Sequence, residues 1–201
     1  LSFYGGLLLA GALIVVYLRR KGFDLMTAAD AFAPGLILAY AVGRIGCQMS
    51  GDGDWGIANE APMPDLIAWL PEWMWSFDYP HNVAKEGVPI PGCTGEYCRR
   101  LVPAVFPTPF YETLMGLGIF GILWGLRKRL PFAGQLAGIY FILKGFERWL
   151  IEKIRVNGDY QILGIDTTQA EFIAVMLMLG GMILLLYASR FRKKRLSKVP
   201  K

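Results

Sequence analysis

The sequence predicts an all-α, polytopic helical membrane protein with about five transmembrane helices, and three observations support this fold class. Of the 201 residues, 54% are hydrophobic and 18% are charged, whereas a soluble domain usually has about 25% charged residues. Five apolar stretches are each close to the roughly 17–25 residues that cross a bilayer as a helix. Clusters of Lys and Arg follow alternate stretches. We therefore expect residues 1–201 to form a single membrane domain.

The apolar stretches give the order of the predicted helices. They cover residues 3–18, 28–46, 110–126, 134–151 and 172–188. No basic residues precede the first stretch, as they would in a signal peptide, so we expect further helices before residue 1. Asp30 near the start of the second helix is expected to cap that helix.

The charge pattern predicts how these helices are oriented. Basic clusters lie at residues 19–21, 127–129 and 190–195, which is the positive-inside distribution of cytoplasmic helix ends. This places the N-terminus outside, the C-terminus in the cytoplasm and residues 47–108 in a long external segment. That segment contains eight acidic and three basic residues, in agreement with the assignment. Because membrane topology explains the basic clusters, we expect no nucleic-acid partner.

Two features of the external segment leave alternatives open. Cys93 and Cys98 can form a disulfide there, which we favour over a metal pair because His81 is the only histidine. A membrane thiol oxidoreductase is a weaker alternative, since such proteins normally use a C-x-x-C pair. Residues 64–75 carry three tryptophans and fit an element in the headgroup layer, either as a cover for a site or as a simple anchor.

Three arginines suggest a binding site on the outer side. Arg44 ends the second apolar stretch, and Arg148 and Arg155 end the fourth. Cations on this side do not follow the positive-inside rule, and arginine binds phosphate through two parallel hydrogen bonds. Lys144, Arg148, Glu152 and Arg155 are expected to form one helical stripe. A structural Arg148–Glu152 pair is the alternative, but the stripe is too long to be explained by one pair alone.

Carboxylates of the same region complete the candidate site. They are Asp52, Asp54, Glu112 and Glu152. The sequence has no G-x-S-x-G, H-E-x-x-H or Walker motif, so serine hydrolase, zinc protease and nucleotide-binding sites are not expected, nor is a metal or a cofactor. The residues alone predict an enzyme or a binder that acts on an anionic lipid at the outer leaflet.

Five short motifs resemble the prolipoprotein diacylglyceryl transferase family, in family order. Residues 43–56, GRIGCQMSGDGDWG, resemble its signature G-R-x-G-N-F-x-N-x-E-x-x-G. Residues 2–7, SFYGGL, are similar to its S-F-H-G-G-L, and residues 107–112, PTPFYE, to its H-P-x-Q-L-Y-E. Residues 145–155, GFERWLIEKIR, are similar to its Y-G-x-x-R-F-x-x-E-x-x-R, and residues 168–169 to a short T-x-G-Q element.

The resemblance implies a function and a set of site residues. The family transfers the diacylglyceryl group of phosphatidylglycerol to the lipobox cysteine thiol of a preprolipoprotein, at the outer face of the bacterial cytoplasmic membrane. Catalytic roles would fall to Arg44, Arg148 and Tyr4. Substrate-binding roles would fall to Gly5, Gly6, Gly43, Gly46, Asp52, Asp54, Gly56, Tyr111, Glu112, Glu152, Arg155, Thr168 and Gln169.

This chain departs from the family pattern at several positions. Tyr4 stands where the family has a histidine, and a phenol is a weaker base than imidazole near neutral pH. Cys47 and Gln48 replace Asn-Phe, and either Asp52 or Asp54 stands for the family glutamate. A divergent member with the same chemistry is the first reading. A non-catalytic binder of anionic phospholipid, or a related transferase with another acceptor, is the alternative.

Overall fold

A computed structural model describes residues 2–155, 160–162, 165–167 and 169–196 and confirms the predicted helical class. Its helices are α1 (Ser2–Arg20), α2 (Leu25–Ser50), α3 (Thr108–Leu126), α4 (Gln135–Glu152) and α5 (Gln169–Leu196). Two short 3-10 helices cover Asp65–Ile67 and Glu72–Met74. Two antiparallel pairs join β1 (Val88–Pro89) to β2 (Arg99–Arg100) and β3 (Tyr160–Ile162) to β4 (Ile165–Thr167).

Three of the described helices are long and apolar enough to cross a membrane. These segments are Leu25–Ser50, Thr108–Leu126 and Ala170–Arg190. Large apolar side chains on them remain exposed, such as Leu36 and Ile183, as expected for surfaces that face lipid. The remaining two predicted spans, on α1 and α4, stay predictions.

The helices pack through a small core and through glycines. Ala33 and Ile37 of α2, Ile119 and Leu123 of α3, and Leu136 of α4 form a buried cluster. Where α4 meets α5, a Cβ added to Gly181 would lie 2.6 Å from the Gly138 carbonyl oxygen. Small residues at such contacts allow the close helix packing that is common in membranes.

The N-terminal caps of α2 and α4 correct the prediction for Asp30. Asp24 caps α2, because its Oδ2 accepts a hydrogen bond from the Thr27 N–H at 3.0 Å. Asp30 lies six residues further on and caps α4 instead, since its carboxylate accepts from the N–H groups of Gly134 and Ala137, both at 2.7 Å. Asp30 therefore does cap a helix, as predicted, but the helix is α4 and not its own helix α2.

The α2 helix continues four residues beyond the predicted start of the external segment. Cys47 to Ser50 remain helical, and Gly51 ends the helix in a left-handed conformation with φ of +61°. The Gly51 N–H donates to the Cys47 carbonyl at 3.0 Å, as in a C-terminal glycine cap. The connection between α2 and α3 is therefore residues 51–107, called here the 51–107 segment.

The 51–107 segment has a core of its own. Trp55, Tyr79, Leu101 and Val105 are buried together. Burial raises the pKa of Tyr79, which keeps its hydroxyl protonated as the donor of a 2.7 Å hydrogen bond to Gln48 Oε1. This bond ties the segment to the last turn of α2.

Asn82 fixes the chain path at the centre of the 51–107 segment. Its side chain is 1% exposed, and its Nδ2 lies within 3.2 Å of the carbonyl oxygens of Tyr79, Glu86 and Arg99.

The 51–107 segment also contains the disulfide between Cys93 and Cys98, with the two Cα atoms 5.6 Å apart. The disulfide reading of these cysteines is therefore confirmed.

The tryptophan-rich residues 64–75 lie against the start of α3. Trp73 packs edge-on against Phe110, with ring centroids 5.0 Å apart. Leu66 and Trp69 point outward and are 86% and 79% exposed. The location of these two side chains in a headgroup layer stays a prediction.

Candidate functional site

The three predicted arginines meet around the buried carboxylate of Glu112, which lies in the second turn of α3. The Glu112 side chain is fully buried. Arg44 Nε lies 2.9 Å from Glu112 Oε2, and Arg148 Nη1 and Arg155 Nη1 each lie 3.9 Å from Glu112 Oε1. Arg148 and Arg155 follow Arg44 by 104 and 111 residues in the sequence, and the fold brings the three side chains together. We call Arg44, Arg148 and Arg155 the arginine cluster.

Two further carboxylates neutralise the arginine cluster. Asp54 forms ion pairs with both Arg44 and Arg155, and Glu152 Oε2 lies 3.0 Å from Arg148 Nη2 one helical turn away. The Arg148–Glu152 pair expected from the stripe is therefore present, as part of a larger network.

Asp54 rather than Asp52 faces the arginines. Asp52 is exposed, and its Oδ1 lies 3.4 Å from the Asp54 backbone nitrogen. The backbone around Asp54 is also fixed, since Thr108 Oγ1 donates to the Asp54 carbonyl at 2.7 Å. The start of α3 therefore positions the carboxylate that bridges Arg44 and Arg155.

Gly56 allows the chain after α4 to reach the cluster. Gly56 and Arg155 form an antiparallel bridge, and the adjacent Ile57 N–H donates to the Ile154 carbonyl at 2.9 Å. A Cβ at Gly56 would lie 2.5 Å from the Ile154 oxygen. Gly56 thus acts through close backbone packing that holds Arg155 in place.

Gly56→Ala is expected to destabilise the protein by about 1–3 kcal/mol, the typical cost of overpacking, and to displace Arg155. Thermal unfolding in detergent measures the loss. The matched control is Gly118→Ala on α3, where no described residue lies within 4 Å of an added Cβ. Equal unfolding temperatures for the two variants would contradict this role of Gly56.

Three polar residues that the sequence did not assign to the site form a chain of contacts that starts at Glu112. The Tyr40 hydroxyl lies 2.9 Å from Glu112 Oε1 and 3.3 Å from Glu147 Oε1. Lys144 Nζ lies 2.6 Å from Glu147 Oε2 and 3.2 Å from the centroid of the Tyr40 ring. The available signals were that Tyr40 precedes Arg44 by one helical turn and that Lys144 belongs to the charged stripe of α4.

The arginine cluster is partly accessible. The side chains of Arg44, Arg148 and Arg155 are 16%, 23% and 15% exposed, and that of Asp54 is 31% exposed. Guanidinium groups that are held by carboxylates and open on one side can receive an oxyanion such as phosphate. A cation fits less well here: ligand atoms of Cys47, Asp52 and Asp54 lie within 4.8 Å of one another, but two arginines already occupy Asp54.

Comparison with known proteins identifies the family. The family model for prolipoprotein diacylglyceryl transferase matches residues 1–187. The chain belongs to this family. The resemblance read from the sequence motifs is therefore confirmed.

Curated relatives carry the name phosphatidylglycerol–prolipoprotein diacylglyceryl transferase. One from Leptospira interrogans is 31% identical over 158 residues, which cover 78% of this chain and 42% of that protein. One from Corynebacterium efficiens is 30% identical over 165 residues, covering 82% and 47%. One from Clostridioides difficile is 27% identical over 200 residues, covering 96% and 66%. The chain thus spans about half the length of the first of these relatives.

The glycines of two family motifs lie on open surfaces. Nothing described lies within 4 Å of a Cβ added to Gly5, Gly6, Gly43 or Gly46. These glycines therefore leave a smooth helix surface rather than a packed contact between described residues.

Of the remaining predicted site residues, the structure describes the side chain of Tyr111 but not those of Tyr4, Thr168 and Gln169. Tyr111 donates from its hydroxyl to the Met74 carbonyl at 2.8 Å, so it ties the 51–107 segment to α3. Tyr4 and Gln169 belong to α1 and α5, but their side chains lie outside the described part of the structure, as does Thr168.

Proposed function

We propose that this chain transfers the diacylglyceryl group of phosphatidylglycerol to the lipobox cysteine thiol of preprolipoproteins. The observation that carries the proposal is the convergence of Arg44, Arg148 and Arg155 on Glu112. A partly exposed group of three guanidiniums beside apolar helices is suited to the phosphate of a lipid headgroup. The names of the relatives supply the reaction.

The geometry leaves donors available for that phosphate. Arg148 Nη1 and Arg155 Nη1 are 3.9 Å from Glu112 Oε1, which is too long for a hydrogen bond. These N–H groups can turn toward a phosphate oxygen while Glu112, Asp54 and Glu152 hold the other edges of the guanidiniums. The carboxylates therefore serve as braces, and the arginines make the contacts with substrate.

The proposed reaction is a substitution at carbon. The sulfur of the acceptor thiol attacks the glyceryl carbon that bears the phosphate, a C–S bond forms and the C–O bond breaks. The electron pair of that bond goes to the phosphate oxygen, and glycerol phosphate leaves. Arg44 and Arg148 stabilise the charge that develops on this oxygen, a type of contact worth about 100- to 1000-fold in rate.

We assign Tyr4 the third catalytic role by its position in the family motif. Tyr4 stands where the family has a histidine, so it would assist removal of the thiol proton. A phenol is the weaker base near neutral pH, and the leaving phosphate oxygen is an additional acceptor for that proton.

Other motif residues would line the lipid's path. The open helix surfaces at Gly5, Gly6, Gly43 and Gly46 suit close approach of a glycerol headgroup or of acyl chains. Asp52, Thr168 and Gln169 would contact the headgroup, and Tyr111 would hold the adjoining 51–107 segment. Each of these roles belongs to the proposal.

We further propose that the site faces the outside of the bacterial cytoplasmic membrane. The cluster lies at the end of α2, the start of α3 and the end of α4, whereas Arg19, Arg20 and Arg127 lie at the opposite ends of α1 and α3. Basic residues at that opposite end are typical of the cytoplasmic side.

Mass spectrometry of both products tests the function. Purified protein is incubated with phosphatidylglycerol and a synthetic lipobox peptide. A peptide that gains one diacylglyceryl mass, together with released glycerol phosphate, is the expected result. Lipid binding without either product would favour the non-catalytic binder, and transfer to a different acceptor would favour the related transferase.

A double variant, Cys93→Ser with Cys98→Ser, is expected to retain lipidation within about two-fold and to lose about 2 kcal/mol of stability, the cost of opening a short cross-linked loop. The reason is that the disulfide closes a turn within the 51–107 segment, away from the groups that contact the substrate. The lipidation assay and thermal unfolding give the two numbers. Abolished transfer in a folded double variant would support thiol redox chemistry instead.

A further inference from the structure

We propose that binding of a phosphodiester lipid anion to the arginine cluster is coupled to uptake of one proton by the carboxylate pair Glu112 and Glu147, which share the hydroxyl of Tyr40. This inference rests on the proposed function, since it assumes that the lipid phosphate binds there. The coupling involves Tyr40 and Lys144, which lie outside the family motifs quoted above, and Glu147, which stands at a variable position of the motif at residues 145–155.

The shared hydroxyl is the first support. Tyr40 Oη lies 2.9 Å from Glu112 Oε1 and 3.3 Å from Glu147 Oε1. A phenol donates one hydrogen bond, so it can satisfy only one of the two carboxylates at a time. The second contact becomes a hydrogen bond when the other carboxyl carries a proton and donates it to the phenol oxygen. The arrangement therefore has a place for one additional proton.

Burial of both carboxylates favours the presence of this additional proton. The Glu112 side chain is fully buried and that of Glu147 is 2% exposed. Two negative charges that are held by one hydroxyl away from water repel each other, which favours a shared proton. Asp54 is more exposed and lies between two arginines, and Glu152 faces Arg148. Neither of these two carboxylates shares a hydroxyl with a second carboxylate in the described contacts.

The charge balance of the described network is the second support. Its cations are Arg44, Lys144, Arg148 and Arg155, and its carboxylates are Asp54, Glu112, Glu147 and Glu152. Four charges of each sign cancel. A phosphodiester adds one negative charge, and an uncompensated charge in a low-dielectric site is costly. Uptake of one proton restores neutrality.

The phosphate and Glu112 also compete for the same donors. Arg148 and Arg155 face Glu112 at 3.9 Å, so their N–H groups can turn to a ligand. When these groups turn to the phosphate, Glu112 loses part of its positive surroundings. Protonation of the pair Glu112 and Glu147 then becomes more favourable, which links lipid binding to proton uptake.

All charged and titratable groups around the pair are compatible with this coupling. The α2 helix contributes Tyr40 and Arg44, the 51–107 segment contributes Asp54, and α3 contributes Glu112 and Tyr111. The remaining groups come from α4 and the residues after it: Tyr140, Lys144, Glu147, Arg148, Glu152 and Arg155. Among these described groups, only Glu112 and Glu147 are carboxylates that share a single neutral donor.

Isothermal titration calorimetry tests the proposal. Short-chain phosphatidylglycerol is titrated into the detergent-solubilised full chain at neutral pH, in two buffers with different ionisation enthalpies. The difference in heat gives the number of protons taken up per lipid bound. The wild type is expected to take up about one proton.

Two variants and one control make the result specific. Glu147→Gln leaves one excess positive charge, so the phosphate itself balances the site and proton uptake falls to near zero. Tyr40→Phe removes the shared donor, so the pair holds its proton before lipid arrives and uptake also falls. Glu86→Gln, an exposed carboxylate of the 51–107 segment, is expected to behave as wild type.

Each outcome decides the question. Lipid binding without proton uptake in the wild type, or wild-type uptake in both folded variants, overturns the coupling and leaves the proposed transferase intact. Absence of any phosphatidylglycerol binding overturns the proposed phosphate site and this inference with it. If thermal unfolding shows that Glu147→Gln or Tyr40→Phe is not folded, proton uptake in the other variant alone decides whether the coupling exists.

Discussion

Arg44→Ala is expected to lower phosphatidylglycerol-dependent lipidation by about 100- to 1000-fold, the usual effect of removing one donor to a developing oxyanion. Arg44 contacts both the buried Glu112 and Asp54, so its loss also releases the two carboxylates that orient Arg148 and Arg155. The rate is measured as the initial formation of lipidated peptide by mass spectrometry.

Two further variants separate the role of Arg44 from general damage. Arg44→Lys keeps the charge but loses the planar pair of donors, so it is expected to remain well below wild type. Arg100→Ala removes an arginine that is 49% exposed and lies 3.8 Å from Asp78, and its activity is expected to be unchanged. A folded Arg44→Ala protein with full activity would refute the proposed role.

Glu112→Gln is expected to reduce the free energy of unfolding by about 3–5 kcal/mol, the cost of breaking a buried ion pair from one side. The substitution keeps the size of the side chain but removes the negative charge that three arginines share. Guanidinium-induced unfolding in detergent, followed by tryptophan fluorescence, measures the loss. Lipidation is expected to fall as well, because Glu112 sets the directions of the guanidinium groups.

A surface ion pair supplies the control for Glu112. Glu96 Oε1 lies 2.7 Å from Lys85 Nζ, with side chains 64% and 49% exposed. Glu96→Gln is expected to cost less than about 1 kcal/mol, as exposed pairs contribute little. A loss of similar small size in Glu112→Gln would show that the buried carboxylate does not hold the cluster.

The sequence predicted the helices and the arginine cluster because both depend on local patterns. Apolar stretches located all five helices, and the i, i+4 and i+8 spacing placed Lys144, Arg148 and Glu152 on one side of α4. Arg155 was expected on the same stripe, but α4 ends at Glu152 and Arg155 lies in the chain after it, paired with Gly56. The positive-inside rule predicted Arg44 and Arg148 on the same side of the membrane, and the structure brings both beside Glu112.

Other features depend on contacts between distant parts of the chain. The choice of Asp54 over Asp52 follows from the hydrogen bond between Thr108 and the Asp54 carbonyl, which no local pattern reveals. Asp30 looked like a cap for its own helix but caps α4. Tyr40 resembled an ordinary apolar helix residue, because only its spatial position between Glu112 and Glu147 gives it a role.

A cryo-EM or crystal structure with phosphatidylglycerol bound will show whether the arginine cluster holds the lipid phosphate. Phosphate oxygens are expected within about 3 Å of guanidinium nitrogens of Arg44, Arg148 and Arg155, the usual length of such charged hydrogen bonds. The acyl chains would then extend along the lipid-facing helices. A phosphate bound elsewhere, with the arginine cluster still closed on Glu112 and Asp54, would show that these arginines do not bind the lipid phosphate.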